Sequence, residues 1–285
     1  MRGSAARLAG TFGVACVLVM MAAVLVPSSA ARATTLASHR AVYDLKLLRN
    51  TGKRGLQAVR GRILYDFSGN ACDGYVLQFR QVSELDSGTG RVAVSDLRAS
   101  TWEDGAAKDF RFSSQNYINE KPGQSVDGRA ERESGKVAVT LAKPTEKSFD
   151  LDPNIVFPTE HMRRIIEAAR EGKTLLEFPV YDGSDNGEKV YNTLTVIGQP
   201  IGPDEAPPAD VTANAPALAG LKRWPATISY FDRAVKDGGE QTPSYAISFQ
   251  IYENGVSRAL VLDYGDFTVS GELSQLEMKE SRPCP

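Results

Sequence analysis

The sequence contains little cysteine and histidine, and neither sign of charge dominates it. Three Cys and two His occur in 285 residues, and no Cys pair has the spacing of a zinc ligand set, so we expect no structural metal. The 33 Lys and Arg residues are interspersed with 35 Asp and Glu residues. The lack of a basic cluster argues against nucleic acid as a partner and against attraction to anionic lipid by charge.

The N-terminus has the pattern of an export signal. Basic residues precede an apolar stretch at residues 8–26, and small residues follow it. Cleavage after Ala30 or Ala33 would satisfy the small-x-small rule. We favour Ala33, which makes residues 1–33 a signal peptide and Thr34 the first mature residue. The alternative is an uncleaved anchor, because the apolar stretch approaches the roughly 20 residues that span a bilayer. With cleavage, we expect a periplasmic protein that has no stable membrane span.

Export also changes the cysteine count. Removal of the signal removes Cys16 and leaves Cys72 and Cys284. An even number of cysteines in an oxidising compartment predicts one intramolecular disulfide. In the chain-entropy model, closing so long a loop stabilises the fold by at most on the order of 5 kcal/mol. Two free or separately paired thiols are the alternative.

Alternation of apolar and polar residues with a period of two dominates the mature chain. Turn-forming clusters such as those at residues 68–70, 86–88 and 103–105 separate the alternating segments. Many short strands at this spacing predict an antiparallel meander. The alternating segments lie at residues 41–47, 63–67, 75–79, 92–94, 137–141, 194–196, 228–230 and 267–273.

One hairpin has a predicted register. Asn254 and Gly255 are a strong signal for a two-residue type I′ turn, and folding there pairs Glu253 with Val256. The same register collects the apolar residues of both strands on one face, whereas a slip of one residue would scatter them. The apolar pairs are Phe249 with Leu260, Ile247 with Leu262, and Tyr245 with Tyr264.

Only one segment has the pattern of a helix, near residues 159–171. Thr159 is the predicted N-cap and Gly172 the predicted stop. An apolar stripe lies opposite a charged face, so we expect the stripe to pack in the core at an open barrel end. A mobile lid over a cavity, or a docking helix, is the alternative. The stripe consists of Met162, Ile165, Ile166 and Ala169.

Residues 198–220 separate two β-rich parts. This segment holds five Pro and six Ala and no aromatic residue, so we predict an extended, solvated connection. The first β half is residues 34–197 and the second is residues 221–285. The second half alone is marginal in size. Because a disulfide between the two cysteines would join the halves, we expect one cooperative unit.

No motif in the sequence predicts an enzyme. Gly-x-Ser-x-Gly is absent, and we expect His39 and His161 at the surface rather than beside a nucleophile. Residues 182–187 resemble the front of a calcium loop, but Thr193 stands where a bidentate Glu is required. A hairpin turn is the better interpretation. We therefore expect no catalytic, cofactor-binding or metal-binding residue.

Six short segments form a series along the mature chain. They are HRAVY at 39–43, GNACDGY at 69–75, FPTEH at 157–161, WP at 224–225 followed by ISYF at 228–231, YENGVS at 252–257, and LDYGDF at 262–267. Each segment alone is weak, but their order and spacing together are specific. The series resembles the EipB family of periplasmic cell-envelope integrity proteins, an uncharacterised domain family.

The resemblance implies an all-β fold: an antiparallel β-spiral of two half-barrels with one short amphipathic helix. It also implies a disulfide between Cys72 and Cys284, and support of envelope integrity and stress resistance without known catalysis. We therefore expect a monomeric, non-enzymatic scaffold or binding protein that has no cofactor. Its expected partners are envelope proteins or lipid or peptidoglycan components. The alternatives are a carrier of a lipid or other hydrophobic ligand in the open half-barrel and, third, an envelope hydrolase.

Overall fold

The computed structural model describes residues 34–51, 55–90, 92–212, 215–234, 241–282 and 284. The predicted signal peptide at residues 1–33 lies outside the described residues. In the described part, no helix combines the length and the apolar character that a bilayer crossing requires. Thr34–Pro285 forms one compact unit.

Antiparallel strands make up most of the described chain, and all fourteen of them belong to one sheet. One α-helix, α1, lies between β8 and β9, and a short 3₁₀ helix, Pro216–Leu218, lies between β10 and β11. The elements are β1 His39–Asn50, β2 Ala58–Asn70, β3 Gly74–Asp86, β4 Val92–Glu103, β5 Asp109–Ile118, β6 Lys121–Glu133, β7 Lys136–Lys143, β8 Lys147–Leu151, α1 Pro158–Arg170, β9 Leu175–Val180, β10 Tyr191–Ile197, β11 Arg223–Asp232, β12 Tyr245–Tyr252, β13 Ser257–Asp263 and β14 Phe267–Met278.

The sheet begins and ends at strands from the middle of the chain. Its order is β8-β7-β6-β5-β4-β3-β2-β1-β14-β13-β12-β11-β10-β9. The first and last strands therefore pair at the centre, where His39 lies opposite Met278. The edge strands β8 and β9 do not pair with each other; one parallel bridge joins Val156, after β8, to Val180 in β9. This open, antiparallel all-β spiral with one short helix confirms the predicted fold class.

Three clusters of apolar side chains fill the inner side of the sheet. In the first, Ile165 and Ile166 of α1 pack against strands from both ends of the chain. In the second, Phe110 of β5 stacks on Phe157, whose ring centroid lies 5.2 Å away. The third surrounds Tyr43 where β1 pairs with β14. The inner face of the spiral is thus occupied by side chains, including those of α1.

Helix α1 begins earlier than predicted, and its N-cap is different. The N-cap is Phe157 rather than Thr159, and Pro158 occupies the first turn, where its missing N–H costs nothing. The helix ends before Gly172, which has a φ of 74° and accommodates the left-handed stop. Its apolar stripe is buried in the core, and Ile165 and Ile166 are fully buried.

The hairpin between β12 and β13 follows the predicted register only away from its turn. Ile247 pairs with Leu262 as predicted, but Tyr252 pairs with Val256 around a three-residue loop, so the Glu253–Val256 pairing was wrong. A bulge between Ser248 and Gln250 reconciles the two registers. Because a shift of one residue reverses the face of every side chain, Arg258 becomes fully buried near the turn.

The Pro- and Ala-rich segment 198–220 is largely exposed, in keeping with a solvated connection, but parts of it are fixed to the fold. Ile201 bridges to Arg223, and the side chain of Leu218 is buried against Tyr252 and Val256. The segment therefore lies over the end of the β12–β13 hairpin. Composition predicted the lack of regular structure correctly, but it could not indicate the surface that the segment covers.

Candidate functional site

Cys72 and Cys284 form a disulfide that closes a separation of 212 residues. Cys72 lies in the turn between β2 and β3, and its Cα is 5.7 Å from that of Cys284. Asn70 holds the same region: its Oδ1 accepts from the backbone N of Cys72 and of Asp73, each at 2.8 Å. Its Nδ2 donates to the carbonyl of Arg282 at 3.1 Å. The bridge is thus embedded in a hydrogen-bonded turn.

Both histidines are buried, each 2% exposed, so the prediction of surface positions was wrong. The Nδ1 of His39 lies 2.8 Å from the carbonyl of Ala37, and the Nε2 of His161 lies 3.5 Å from Thr193 Oγ1. Burial lowers the pKa of His39 and lowers that of His161 to about 4. Among the described residues, neither ring makes a hydrogen bond to a serine or cysteine side chain, and their burial indicates a packing role.

A buried carboxylate from a distant strand caps helix α1. Glu103 at the end of β4 is 1% exposed, and its two oxygens accept from the backbone N of Thr159 and of Glu160, each at 2.7 Å. Burial raises the pKa of Glu103 to about 7, although these two N–H groups favour the ionised form. Glu103 therefore fixes α1 to the sheet through the donors that a helix N-terminus leaves free.

The calcium-like segment is a turn between β9 and β10. The Oδ1 of Asp182 accepts from the backbone N of Ser184 at 2.9 Å, and Tyr191 donates its hydroxyl to Asp185 at 2.5 Å. These carboxylates thus serve the turn itself. Among the described residues, no group of three or more His, Cys, Asp or Glu side chains is arranged to hold a metal ion.

Two grooves lie on the outer face of the sheet, and they are the candidate binding sites. The first, the arginine groove, has a volume of about 570 Å³ and crosses β14, β1, β2 and β3. Its lining combines apolar side chains with three arginines. The lining residues are Val42, Arg60, Gly61, Arg62, Leu64, Arg80, Val82, Glu84 and Gln275.

Acidic neighbours neutralise most of the charge of the arginine groove. Arg62 Nε donates to Asp44 at 2.9 Å. Arg80 and Arg98 both donate to Asp96, and these hydrogen bonds hold the pKa of that carboxyl well below its usual range. Arg62 and Arg80 therefore already have carboxylate partners, as charged residues on a solvated sheet face commonly do.

The second groove, the Trp102 groove, has a volume of about 440 Å³ and crosses β3 to β7. Trp102 is half-buried, and the guanidinium of Arg111 lies over its ring, 4.8 Å from the centroid. Trp102 Nε1 donates to the carbonyl of Asp73 at 3.3 Å, which fixes one edge of the ring. Most of the exposed lining is apolar, and it includes Val76 and Ala142. Polar side chains are interspersed in it, those of Ser100, Ser113, Asp127, Arg129 and Thr140.

A glycine lies within a strand beside each groove. A Cβ on Gly61 would lie 2.3 Å from the carbonyl oxygen of Val82, and a Cβ on Gly128 would lie 2.8 Å from both Phe112 Cζ and Leu141 Cδ2. Neither position has room for another residue. A glycine within a strand permits close approach of another part of the backbone or of a side chain. Here the two glycines allow tight packing beneath each groove.

Neither groove is marked by a sequence motif. The residues of the Trp102 groove come from five strands, so only the strand pairing brings them together. The available signal was Gly128 within an alternating strand, since a strand glycine often marks a close approach. The buried pair of Arg258 and Asp210 was missed too, because their separation of 48 residues leaves no local pattern.

Known proteins match most of the chain. The family model described as EipB-like matches residues 30–280. The cell envelope integrity protein EipB of Brucella abortus (strain 2308) is 37% identical over 254 residues, which cover 89% of this chain and 88% of that protein. A crystal structure of a beta-barrel-like protein of domain of unknown function DUF1849 from Brucella abortus aligns with a TM-score of 0.79 and 35% identity, covering 87% of this chain and 100% of that one. On this evidence, the chain belongs to the EipB-like family.

Proposed function

We propose that the chain is a non-enzymatic periplasmic protein that supports cell-envelope integrity as a scaffold or binding protein. The name of the Brucella abortus relative supports a role in envelope integrity. The observation that carries the binding role is the pair of outer grooves on one sheet. Because their strands are cross-paired and tied by a disulfide, the grooves are preformed, and a ligand would not have to order them.

The packing of the inner face favours this role over that of a lipid carrier. Ile165 and Ile166 of α1 are fully buried against the sheet, and Phe157 and Phe110 stack beneath its N-terminus. A carrier of a hydrophobic ligand needs a concave apolar site, and in this conformation α1 occupies that side. Binding of a lipid there would require α1 to move away from the sheet and to break its hydrogen bonds with Glu103.

The buried histidines support a non-enzymatic protein. His39 contacts a backbone carbonyl and His161 contacts the hydroxyl of Thr193. A general base must reach both its nucleophile and the substrate, and these rings are enclosed. We further propose that the protein is a monomer whose partners are envelope proteins or components of lipid or peptidoglycan.

Complementation of a deletion strain tests this function. We expect loss of the gene to sensitise cells to detergents and to antibiotics that act on the cell wall, and we expect the exported protein to restore resistance. A version lacking residues 1–33 should fail, because it would remain in the cytoplasm. Full rescue by that version would contradict a periplasmic role.

Two further measurements separate the alternatives. Native mass spectrometry of protein purified from the periplasm should show one chain without bound lipid; reproducible co-purified lipid would favour the carrier. Turnover assays on peptidoglycan and on ester substrates should give none above background. Turnover that is lost in His39→Gln or His161→Gln, with folding retained, would favour an enzyme.

A further inference from the structure

We infer that the Trp102 groove binds a hydroxyl-rich oligosaccharide, such as the glycan strand of the cell wall. This inference rests on the proposed binding function and names the ligand class of one groove. The groove offers an indole ring beside polar side chains that can bind sugar hydroxyls, set in a largely apolar lining. Aromatic rings provide an apolar surface that the C–H face of a sugar ring can cover. The guanidinium of Arg111 now lies over the Trp102 ring, 4.8 Å from its centroid, and this largely exposed side chain would move aside as the sugar binds.

The polar side chains of the groove retain unused hydrogen-bonding capacity. Among the described residues, the side chains of Ser113, Asp127 and Thr140 make no hydrogen bond or ion pair within the protein. Asp127 can accept several hydrogen bonds, and the two hydroxyl groups can both donate and accept. A ligand with many hydroxyl groups would satisfy all three side chains at once.

The charge of the groove suits a ligand that is not strongly anionic. Arg111 pairs with Asp109 at 2.9 Å, and Arg129 pairs with Glu131 at 3.1 Å. Each cation therefore already has a counter-ion, and Asp127 adds a negative charge of its own. Each guanidinium has five N–H donors, so both can still donate to neutral hydroxyl or amide oxygens.

The shape of the groove fits a chain of sugar rings rather than a single small molecule. Its lining extends from Val76 on β3 to Thr140 and Ala142 on β7, four strand spacings away. Strands lie about 4.8 Å apart, so the lining extends on the order of 19 Å across the sheet. The volume of about 440 Å³ lies within the range of known ligand sites.

The tryptophans supply a direct measurement. The sequence contains two, and Trp224 is only 3% exposed in the core, whereas Trp102 lies in the groove. Acrylamide quenching of the fluorescence of the mature protein therefore reports mainly on Trp102. We expect saturable protection from quenching on addition of a β-1,4-linked N-acetylglucosamine tetramer, of a glucose tetramer, or of both.

The two sugars distinguish the source of the ligand. Preference for the N-acetylglucosamine tetramer indicates the glycan strand of peptidoglycan, and preference for the glucose tetramer indicates a neutral glucan. Either result supports an oligosaccharide site. Absence of protection by both sugars at millimolar concentration, together with unchanged NMR signals of the Trp102 indole, would overturn the inference.

Matched variants locate the binding. Asp127→Ala should weaken sugar binding by about tenfold or more, since hydrogen bonds to a charged group are lost. Trp102→Ala, followed by NMR or calorimetry, should abolish binding. The control is Tyr117→Ala: Tyr117 is also an outer-face ring beneath an arginine, with Arg98 5.0 Å from its centroid, but it lies outside the groove. An equal loss in Tyr117→Ala would overturn the assignment of the site.

The complementation assay keeps the two proposals separate. If the sugar binds and Asp127→Ala fails to protect cells, the groove serves the envelope function. If no sugar binds but the exported protein still protects cells, the ligand class is wrong and the proposed function stands. If the sugar binds and loss of the gene leaves cells resistant, the ligand class stands and the proposed function is wrong.

Discussion

The guanidinium of Arg258 is held by the carboxylate of Asp210, which lies 48 residues earlier in the chain. The side chains are 0% and 5% exposed, and Arg258 also donates to the hydroxyl of Tyr252 at 3.1 Å. This pair fastens the Pro- and Ala-rich segment 198–220 to β13. The segment is thus part of the folded unit rather than a tether.

Removal of one partner of this pair should strongly destabilise the fold. We expect Asp210→Ala to lower the free energy of unfolding by about 3–5 kcal/mol, because the charge of Arg258 stays buried without its partner. The double variant with Arg258→Met should lose less than the two single losses combined. Urea unfolding of all four proteins measures the coupling. Additive losses would show that the two residues act independently.

Asp44→Ala, which breaks an exposed pair with Arg62, is the control and should cost less than about 1 kcal/mol.

The disulfide should act as a structural cross-link. We expect Cys72→Ser and Cys284→Ser to lower the melting temperature equally, and the double variant to be no worse than either single one. In the chain-entropy model, the closed separation of 212 residues corresponds to at most about 5 kcal/mol. Thermal unfolding under non-reducing conditions measures the effect. If the double variant loses the sum of the single losses, each cysteine has a separate role.

Glu103 should make stability depend on pH. Its pKa is raised by burial from 4.5 to about 7, so the folded state holds this proton more tightly than the unfolded state. The resulting stabilisation is complete below about pH 4.5 and is lost as the pH rises through 7, with an upper limit on the order of 3 kcal/mol. Glu103→Gln should remove this dependence.

The measurement is urea unfolding of both proteins at pH 5 and pH 8. The stability of the wild type relative to Glu103→Gln should be greater at pH 5 than at pH 8. Titration of His161 and of other groups is common to both proteins and cancels in the difference. A difference that does not change with pH would mean that Glu103 titrates in its ordinary range.

Gly128 should not tolerate a larger residue. We expect Gly128→Ala to destabilise the protein by about 1–3 kcal/mol, because the new methyl group would overlap with Phe112 and Leu141. Gly202→Ala is the matched control, since the nearest atom to its Cβ would be 4.0 Å away. Chemical denaturation should separate the two variants. Equal stabilities would mean that the sheet beneath the Trp102 groove relaxes without cost.

The strands and the helix were predictable because their signals are local. The alternation at residues 41–47 recurs as burial of Ala41, Tyr43 and Leu45 in β1. The apolar stripe of α1 likewise identified Ile165 and Ile166 as core residues. In each case the period of the sequence matches the period of the element, so no knowledge of neighbours is needed.

The errors arose where a distant residue decides the outcome. Glu103 supplies the cap of α1 from 56 residues away, so Thr159 was mistaken for the N-cap. In β10 Thr193 and Thr195 are buried on the same face as Tyr191 and Ile197, while Val196 is 50% exposed. Hydropathy alone would place Val196 inside. Here the neighbouring strands, rather than the local pattern, determine the face.

The candidate sites were beyond the reach of sequence reasoning for a related reason. Trp102 and Asp127 come together only because β4, β5 and β6 are neighbours in the sheet. Neither residue belongs to a motif. A groove on an outer face is defined by the shape of the sheet, and that shape depends on close approaches such as the one at Gly128.

The pairing of β1 with β14 sets an order of folding events as the chain emerges. A chain that emerges N-terminus first presents β1 before every other strand, yet β14, one of the two neighbours of β1 in the sheet, arrives last. Contacts between residues so far apart in sequence form slowly, because the entropic cost of closing the loop comes before the free-energy gain from strand pairing. Until β14 emerges, one edge of β1 is unpaired, and Cys72 cannot form its disulfide with Cys284. Late closure of the centre of the sheet therefore leaves the emerging chain vulnerable to strand addition, and in an oxidising compartment to wrong disulfides, until β14 arrives.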